Sequence, residues 1–483
     1  MNFNSLQYLI YLPIVVLVYF LLPHKVRWIW LLIASYFFYM VWSWIFGILI
    51  LVTTVISYIC SLLIEKYPKH KKIFLIITLI VSLGILFIFK YLQFTIDNVV
   101  FAVNLFGGKL SNIELNLILP VGISFYTFQT LSYVIDVYRG NYKAEHHFGY
   151  YALFVSFFPQ LVAGPIEKTE DLLPQLKAEH HFNKEDLLAG IRFILLGFFR
   201  KICIGDLCGI FVNNIFSSLT NASSLTVLIG GLLFALQMYG DFAGYSEIAM
   251  GSARILGIKL TKNFDQPYLS LTYGEFFHRW HYSLNRWFTQ YVYIPLGGNK
   301  KGKVRKLLNV IVVFVLCGLW HGAKWTYIIW GLYAAFWICF ETLFLNKILE
   351  FFKNRNVNID SAWFKFVRHI IIMFLFAIAA IFFRATSLND IGIALTKLFT
   401  SFDTPMNMVS NLMNVSTLTL PLICILLLNI FIMHYSHDFA FAYKEEKQWK
   451  NILPYLLLLS CIVLCWIGLL QSDSVSSFAY FQF

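Results

Sequence analysis

Charge is what this sequence has least of. Only 13% of its 483 residues are charged while 59% are hydrophobic, against about 25% charged in a soluble globular domain. With a mean hydropathy of +0.70, the balance excludes a soluble enzyme and predicts a polytopic integral membrane protein. No stretch is polar enough for a separate soluble domain, and the longest polar insertion, 167–187, is too short to fold alone. The first apolar segment, Leu6 to Leu22, has no basic n-region and no small-residue cleavage site, so it reads as a retained transmembrane helix. Metal-ligand and C-x-x-C spacings are missing too. The eight cysteines (Cys60, Cys203, Cys208, Cys317, Cys339, Cys424, Cys461 and Cys465) stand mostly in apolar stretches and read as small buried hydrophobes. There is no internal repeat and no low-complexity tract, which argues against a transporter or flippase built from inverted repeats.

What is present begins with basic loops. The net charge of +12 would suggest nucleic acid in a soluble protein, but here Lys and Arg cluster between apolar spans, and that pattern sets topology. The loops KYPKHKK (66–72), KKGKVRK (300–306) and KEEKQWK (444–450) are expected on the cytoplasmic side. Clear spans are 73–89, 307–323, 326–346, 366–383, 416–433 and 452–470; with shorter or interrupted segments, about 11–13 are expected at ~20 residues per crossing. The last span then leaves the cytoplasm near Asn451, which puts the C-terminal FAYFQF on the extracytoplasmic face.

Between 120 and 300 the plain apolar pattern gives way to PVGISFYTFQTLSYVIDVYRG, FFPQLVAGPIE, YGDFAGYSEIAMG and EFFHRWHYSLNRWFTQYVYIPLGG. Ionisable groups and irregular backbone persist at membrane depth only where protein or a water-filled cavity surrounds them, so this region reads as the lining of a site. Beyond it, GLWHGAKW ends an apolar run with His321, about 20 Å from the nearest basic loop at 1.5 Å per residue. A histidine at that depth is a functional candidate, and the adjoining Gly318 and Gly322 would let a ligand approach the backbone. The segment EFFHRWHYSLNRWFTQYVY reads as one amphipathic helix, with Phe277, Trp280, Leu284, Trp287 and Tyr291 on one face and Arg279 and Arg286 on another. His278 and His281 are three apart, as are His434 and His437, but no third ligand stands nearby, and no metal is expected. GGNKKGKV fits the start of a phosphate-binding loop, yet Val304 replaces the magnesium-holding hydroxyl and no strand precedes it.

Taken in order, GISFYTFQTLSYVIDVYRG, SFFPQLVAGPI, DFAGYSEIAMG, FHRWHYSLNRWFTQYVYIPLGG and GLWHGAKWTYIIWG resemble the membrane-bound O-acyltransferase family, in particular its bacterial alginate O-acetyltransferase branch. The resemblance covers about 120–340. It implies an all-α, polytopic helical bundle with re-entrant or interfacial helices around a tunnel, in residues 1–470, set in the bacterial cytoplasmic membrane. It further implies that an acyl donor, acetyl-CoA, enters from the cytoplasm, that His321 of the W-H-G motif is catalytic and that His281 of the R-W-H motif is the second polar residue. Lys300, Lys301, Lys303 and Arg279 are the candidate contacts for the phosphate-rich donor at the cytoplasmic mouth.

Moving only a small neutral acyl group through a tunnel avoids carrying the charged donor across hydrocarbon. Something on the outer side must then take it. The tail 471–483 is similar, as F-x-Y-x-x-F over Phe478, Tyr480 and Phe483, to the end of the tyrosine carrier peptide of teichoic-acid D-alanylation. That likeness implies Tyr480 as an acyl carrier, activated by His321 because a phenol with a pKa of about 10 needs a base at neutral pH. A second extracytoplasmic acetyltransferase, of SGNH-hydrolase type, would then pass the acetyl group to a polysaccharide acceptor. D-alanyl transfer to teichoic acids is the alternative within the family.

Overall fold

The computed structural model describes residues 1–162, 164–402, 459–463 and 465. The expected span 416–433, the basic loop 444–450, His434, His437 and the tail with Tyr480 lie outside the described residues, as does most of 452–470. In chain order the helices are α1 (Leu6–Leu21), α2 (His24–Met40), α3 (Trp44–Lys66), α4 (Lys71–Leu86), α5 (Leu92–Leu105), α6 (Ile123–Arg139), α7 (Phe148–Ser156), α8 (Phe158–Leu161) and α9 (Thr169–Lys177). They continue as α10 (Lys184–Phe198), α11 (Leu207–Ser217), α12 (Ser224–Ile255), α13 (Tyr273–Arg279), α14 (Tyr282–Phe288), α15 (Gly302–His321), α16 (Trp325–Lys353), α17 (Ala362–Arg384) and α18 (Leu388–Thr400). No strand occurs among the described residues, so the fold is the all-α one expected.

Six helical runs among the described residues are long and apolar enough to cross a membrane: Trp44–Lys66, Pro68–Leu105, Ser224–Ile255, Gly302–His321, Trp325–Lys353 and Ala362–Arg384, with Leu6–Leu21 as a shorter apolar helix. The chain is therefore a multi-pass membrane protein. The expected spans 73–89, 307–323, 326–346 and 366–383 each fall within one of these runs, 307–323 overrunning its end by two residues. The first extends well past its expected end, because α4 passes through a π-helical turn at Phe87–Tyr91 straight into α5.

The chain divides into two compact units: 1–194 with 248–261, and 195–247 with 262 onwards. In the first, apolar side chains give little drive for helices to associate in lipid, and small polar residues supply the contact. Thr53, Thr54, Ser57 and Ser61 run down one buried face of α3. Ser57 and Tyr151 share a 2.6 Å hydroxyl bond, and Ser61 donates to the Tyr133 hydroxyl at 3.1 Å. Those bonds tie α3 to α7 and α6.

In the second unit the hairpin of α15 and α16 is drawn tight by glycine. A Cβ at Gly318 would stand 2.2 Å from the Tyr327 carbonyl oxygen, and one at Gly331 would stand 2.3 Å from that of Phe314. A π-helical stretch, Phe199–Asp206, brings two cations against α12. Lys201 donates to Asp206 at 2.6 Å and Asp241 at 2.8 Å, and Arg200 pairs with Glu247; all five side chains are buried. The polar letters of YGDFAGYSEIAMG thus serve an internal ion-pair network at this point, and α12 is a full-length span in spite of them.

The amphipathic helix expected over EFFHRWHYSLNRWFTQYVY is two helices. Trp280 is extended (φ −102°, ψ 125°) and His281 is left-handed (φ 49°, ψ 53°). The chain can break there because a tertiary partner satisfies the helix start: the Tyr282 N–H donates to the Asn263 carbonyl at 2.9 Å, and the Ser283 N–H to the Asn263 side-chain oxygen at 3.1 Å.

Candidate active site

His321 is the last residue of α15 and is 8% exposed. It sits in an aromatic box. The Trp320, Trp330 and Phe383 rings stand 5.0, 5.2 and 5.0 Å from it, all edge-on. Trp320 and Trp330 come from the facing ends of the hairpin, and Phe383 from the last turn of α17. The box is held by the close approach at Gly318. Gly322 serves the same packing: its missing Cβ would lie 2.3 Å from the Tyr327 ring. The space beside these glycines is therefore filled by Tyr327, and the expected approach of a ligand to the backbone there is not what the glycines provide.

Two small cavities meet at His321. One, about 40 Å³, is lined by residues that include Met238, Ala380, Phe383, Trp330 and His321. The other, about 50 Å³, is lined by residues that include His281, Cys317, Phe314, Trp330 and His321. Phe277, Trp280, His321 and Trp330 belong to both walls. The two histidines picked out in the sequence, forty positions apart, thus line one cavity. Trp320 also spans them, with ring centroids 5.9 Å from His281 and 5.0 Å from His321. Among the described residues, neither cavity has an Asp or Glu in its wall.

His281 reaches the cavity because of the left-handed turn it occupies. It is 3% exposed, and burial pushes its imidazole down to about 3, so the ring is neutral at physiological pH. Its Nδ1 lies 3.3 Å from the Asn263 side-chain oxygen. His278, on the other side of the break, is exposed and lies against Asn285 at 3.4 Å. Among the described residues no group of three or more His, Cys, Asp or Glu is arranged to hold a metal ion.

The remaining candidates are placed elsewhere. Lys300, Lys301 and Lys303 are exposed in the glycine-bearing turn at the start of α15, about 27 Å along the helix from His321. Arg279 is half-buried on α13, where it pairs with Glu275 at 2.8 Å and donates to the Asp265 carbonyl at 3.4 Å. Tyr480 lies outside the described residues. Asn263, Trp330 and Phe383 were not singled out in the sequence. Trp330 stood inside the motif GLWHGAKWTYIIWG, but the helical spacing that returns it to His321 belongs to the hairpin, and nothing local marks Asn263.

His281 and His321 thus form a buried histidine pair lining one aromatic-walled cavity of a multi-pass membrane protein. The chain belongs to the membrane-bound O-acyltransferase family, whose sequence model matches residues 143–384, and is an acyltransferase. It is 36% identical over 396 residues to the "Probable alginate O-acetylase AlgI" of Pseudomonas syringae pv. tomato, covering 81% of this chain and 74% of that protein. It is 35% identical over 356 residues to the peptidoglycan O-acetyltransferase of Helicobacter pylori, covering 67% and 66%. It is 33% identical over 233 residues to the teichoic acid D-alanyltransferase of Bacillus subtilis, covering 46% and 58%.

Proposed function

We propose that the protein is an O-acetyltransferase of a cell-envelope polysaccharide or exopolysaccharide, acting in the cytoplasmic membrane of a bacterium. The observation that carries this reading is the pair of cavities meeting at His321. At about 50 Å³ or less they have room for little more than one small group, a bound water needing about 10–15 Å³ on this measure. That size suits an acetyl group better than a long acyl chain. A D-alanyl group would bring an ammonium, whose desolvation needs a carboxylate or other compensation, and the described residues of the walls include no carboxylate. That favours the acetyl reading over D-alanyl transfer, in keeping with the names of the relatives that cover most of the chain.

In this reading acetyl-CoA is the cytoplasmic donor, and Lys300, Lys301, Lys303 and Arg279 meet its phosphates; the cavities are parts of a passage to the outer side. Neutral His321 acts as the general base. The Tyr480 hydroxyl attacks the thioester carbonyl carbon while its proton passes to His321. The C–S bond then breaks and His321 returns the proton to the departing thiolate, so CoA leaves as the free thiol. The acetyl group stays on Tyr480 as a phenyl ester. A phenol at about 10 is not far in acidity from a thiol at about 8.5, so the ester remains activated for transfer to a sugar hydroxyl. A second, extracytoplasmic transferase of SGNH-hydrolase type would carry out that step.

The test is mass spectrometry of the full-length protein after incubation with acetyl-CoA. An acetyl-sized mass increase on the C-terminal peptide, lost in Tyr480→Phe and in His321→Ala, is expected. Full acetyl transfer by His321→Ala would overturn the catalytic assignment. An unlabelled Tyr480 with activity intact in Tyr480→Phe would overturn the carrier alone.

A further inference from the structure

Asn263 lies eighteen positions before His281 and is 1% exposed. Its carboxamide is oriented by a group with only one possible role. The Ser283 backbone N–H, 3.1 Å away, can only donate, so the atom facing it is the oxygen. The Ser283 hydroxyl donates to the same oxygen at 2.9 Å, and the amide nitrogen turns to the Ser246 hydroxyl at 3.4 Å. His281 Nδ1 stands 3.3 Å from that oxygen. An amide oxygen accepts and never donates, so a lone pair on Nδ1 would face another lone pair. Nδ1 therefore carries the ring proton, and in a neutral imidazole the lone pair falls to Nε2.

We infer that Asn263 is a positioning residue, holding His281 in the Nδ1–H tautomer so that Nε2 serves the cavity as a hydrogen-bond acceptor. The inference deepens the reading of His281 as part of the acyl-transfer site and rests on it. The same residue fixes the backbone, since its carbonyl takes the Tyr282 N–H at 2.9 Å at the turn that carries the ring into the cavity wall. Tautomer and ring placement thus come from one side chain and one peptide group. The assignment separates the two histidines. His321 takes the proton of the attacking hydroxyl. His281 accepts a hydrogen bond from a donor group in the cavity and does not act as an N–H donor to the oxyanion.

The test uses the full-length enzyme in lipid nanodiscs with ¹⁵N-labelled histidine, the His281 signals being those lost in His281→Ala. The expected wild-type spectrum has Nδ1 protonated and Nε2 bare. Asn263→Ala should redistribute the tautomers and lower kcat about 10- to 100-fold with the KM for acetyl-CoA unchanged, by analogy with the loss of a hydrogen-bond partner that orients a metal-ligating histidine. Asn263→Asp keeps an acceptor oxygen facing Nδ1 and should keep that nitrogen protonated. A protonated Nε2 in the wild type would overturn the inference. So would an unchanged spectrum with unchanged kcat in Asn263→Ala, and so would failure of Asn263→Asp to keep the tautomer. Where Asn263→Ala does not fold, the wild-type and Asn263→Asp spectra decide. The spectra stand without turnover, so a wild type inert toward acetyl-CoA would count against the proposed function while leaving the tautomer assignment to its own result.

Discussion

His321 and Trp330 meet edge to face, their ring centroids 5.2 Å apart and their planes at 85°. The indole comes from α16 and the imidazole from the end of α15, so the contact ties the candidate base to the second arm of the hairpin. The wall is shared by both cavities, and its loss should be felt in chemistry and in stability. Trp330→Ala should destabilise the protein by about 3–5 kcal/mol, as buried aromatic truncations do, and should lower kcat for acetyl transfer. Trp330→Phe keeps an aromatic edge for the imidazole and should retain more of both. Thermal unfolding in detergent together with steady-state kinetics separates the two effects.

Cavity size should set the acyl group. Met238 and Ala380 line the 40 Å³ cavity beside His321 and neither is a candidate for the chemistry. Ala380→Leu would fill that space and should depress acetyl transfer. Met238→Ala would enlarge it and should raise the rate with propionyl-CoA relative to acetyl-CoA. Discrimination by one methylene in an apolar pocket is worth about 1–3 kcal/mol, so a change of ~10-fold or more in the ratio of kcat/KM values is expected. An unchanged ratio in both variants would mean that the acyl group does not occupy this cavity.

Much of this architecture is legible in the amino-acid sequence, and the remainder is hidden there for identifiable physical reasons. The long apolar runs of α15, α16 and α17 carry few charges, and hydropathy alone finds them. His321 stands out because it ends such a run. The helix α12 does not, since Asp241 and Glu247 interrupt its pattern. Their partners Lys201 and Arg200 lie 40 and 47 positions earlier, beyond any local window. The break at Trp280 and His281 is hidden for the same reason. Residues 273–291 suit one amphipathic helix locally, and it takes bonds from Asn263 and Asp265, outside that window, to stabilise the interruption. Gly318 and Gly322 are legible as special positions, but whether a ligand or a helix fills the space beside a glycine is a tertiary question.

The hairpin glycines give a prediction about geometry. At Gly318 and Gly331 the atoms that a Cβ would meet, at 2.2 and 2.3 Å, are backbone carbonyl oxygens, which cannot swing aside as a side chain can. Either Gly318→Ala or Gly331→Ala must push α15 and α16 apart. Gly318 lies one turn before His321, so its substitution should also displace the imidazole. Both variants should lower the unfolding temperature, and Gly318→Ala should lose more acetyl transfer per degree lost than Gly331→Ala. Gly392→Ala, where a Cβ meets nothing within 4 Å, is the control and should leave both quantities unchanged.

The buried ion pair of Arg200 and Glu247 yields a sharper test, because the single variants are expected to lose stability that the double variant regains. Both side chains are within 3% of full burial, and the guanidinium also lies 5.3 Å from the Tyr239 ring. Removing one partner strands the other charge in a low-dielectric interior, at a cost of about 3–5 kcal/mol, whereas replacing both with apolar groups of similar volume is often neutral or stabilising. Arg200→Met and Glu247→Leu alone should therefore fold poorly. The double variant should recover most of the unfolding temperature if the pair serves only to hold the π-helical stretch against α12. Acetyl transfer measured on that double variant then carries the functional information. Recovery of activity along with stability assigns the pair to the scaffold. A stable double variant without turnover would mean that these charges act on the reaction, although neither lines the cavities at His321.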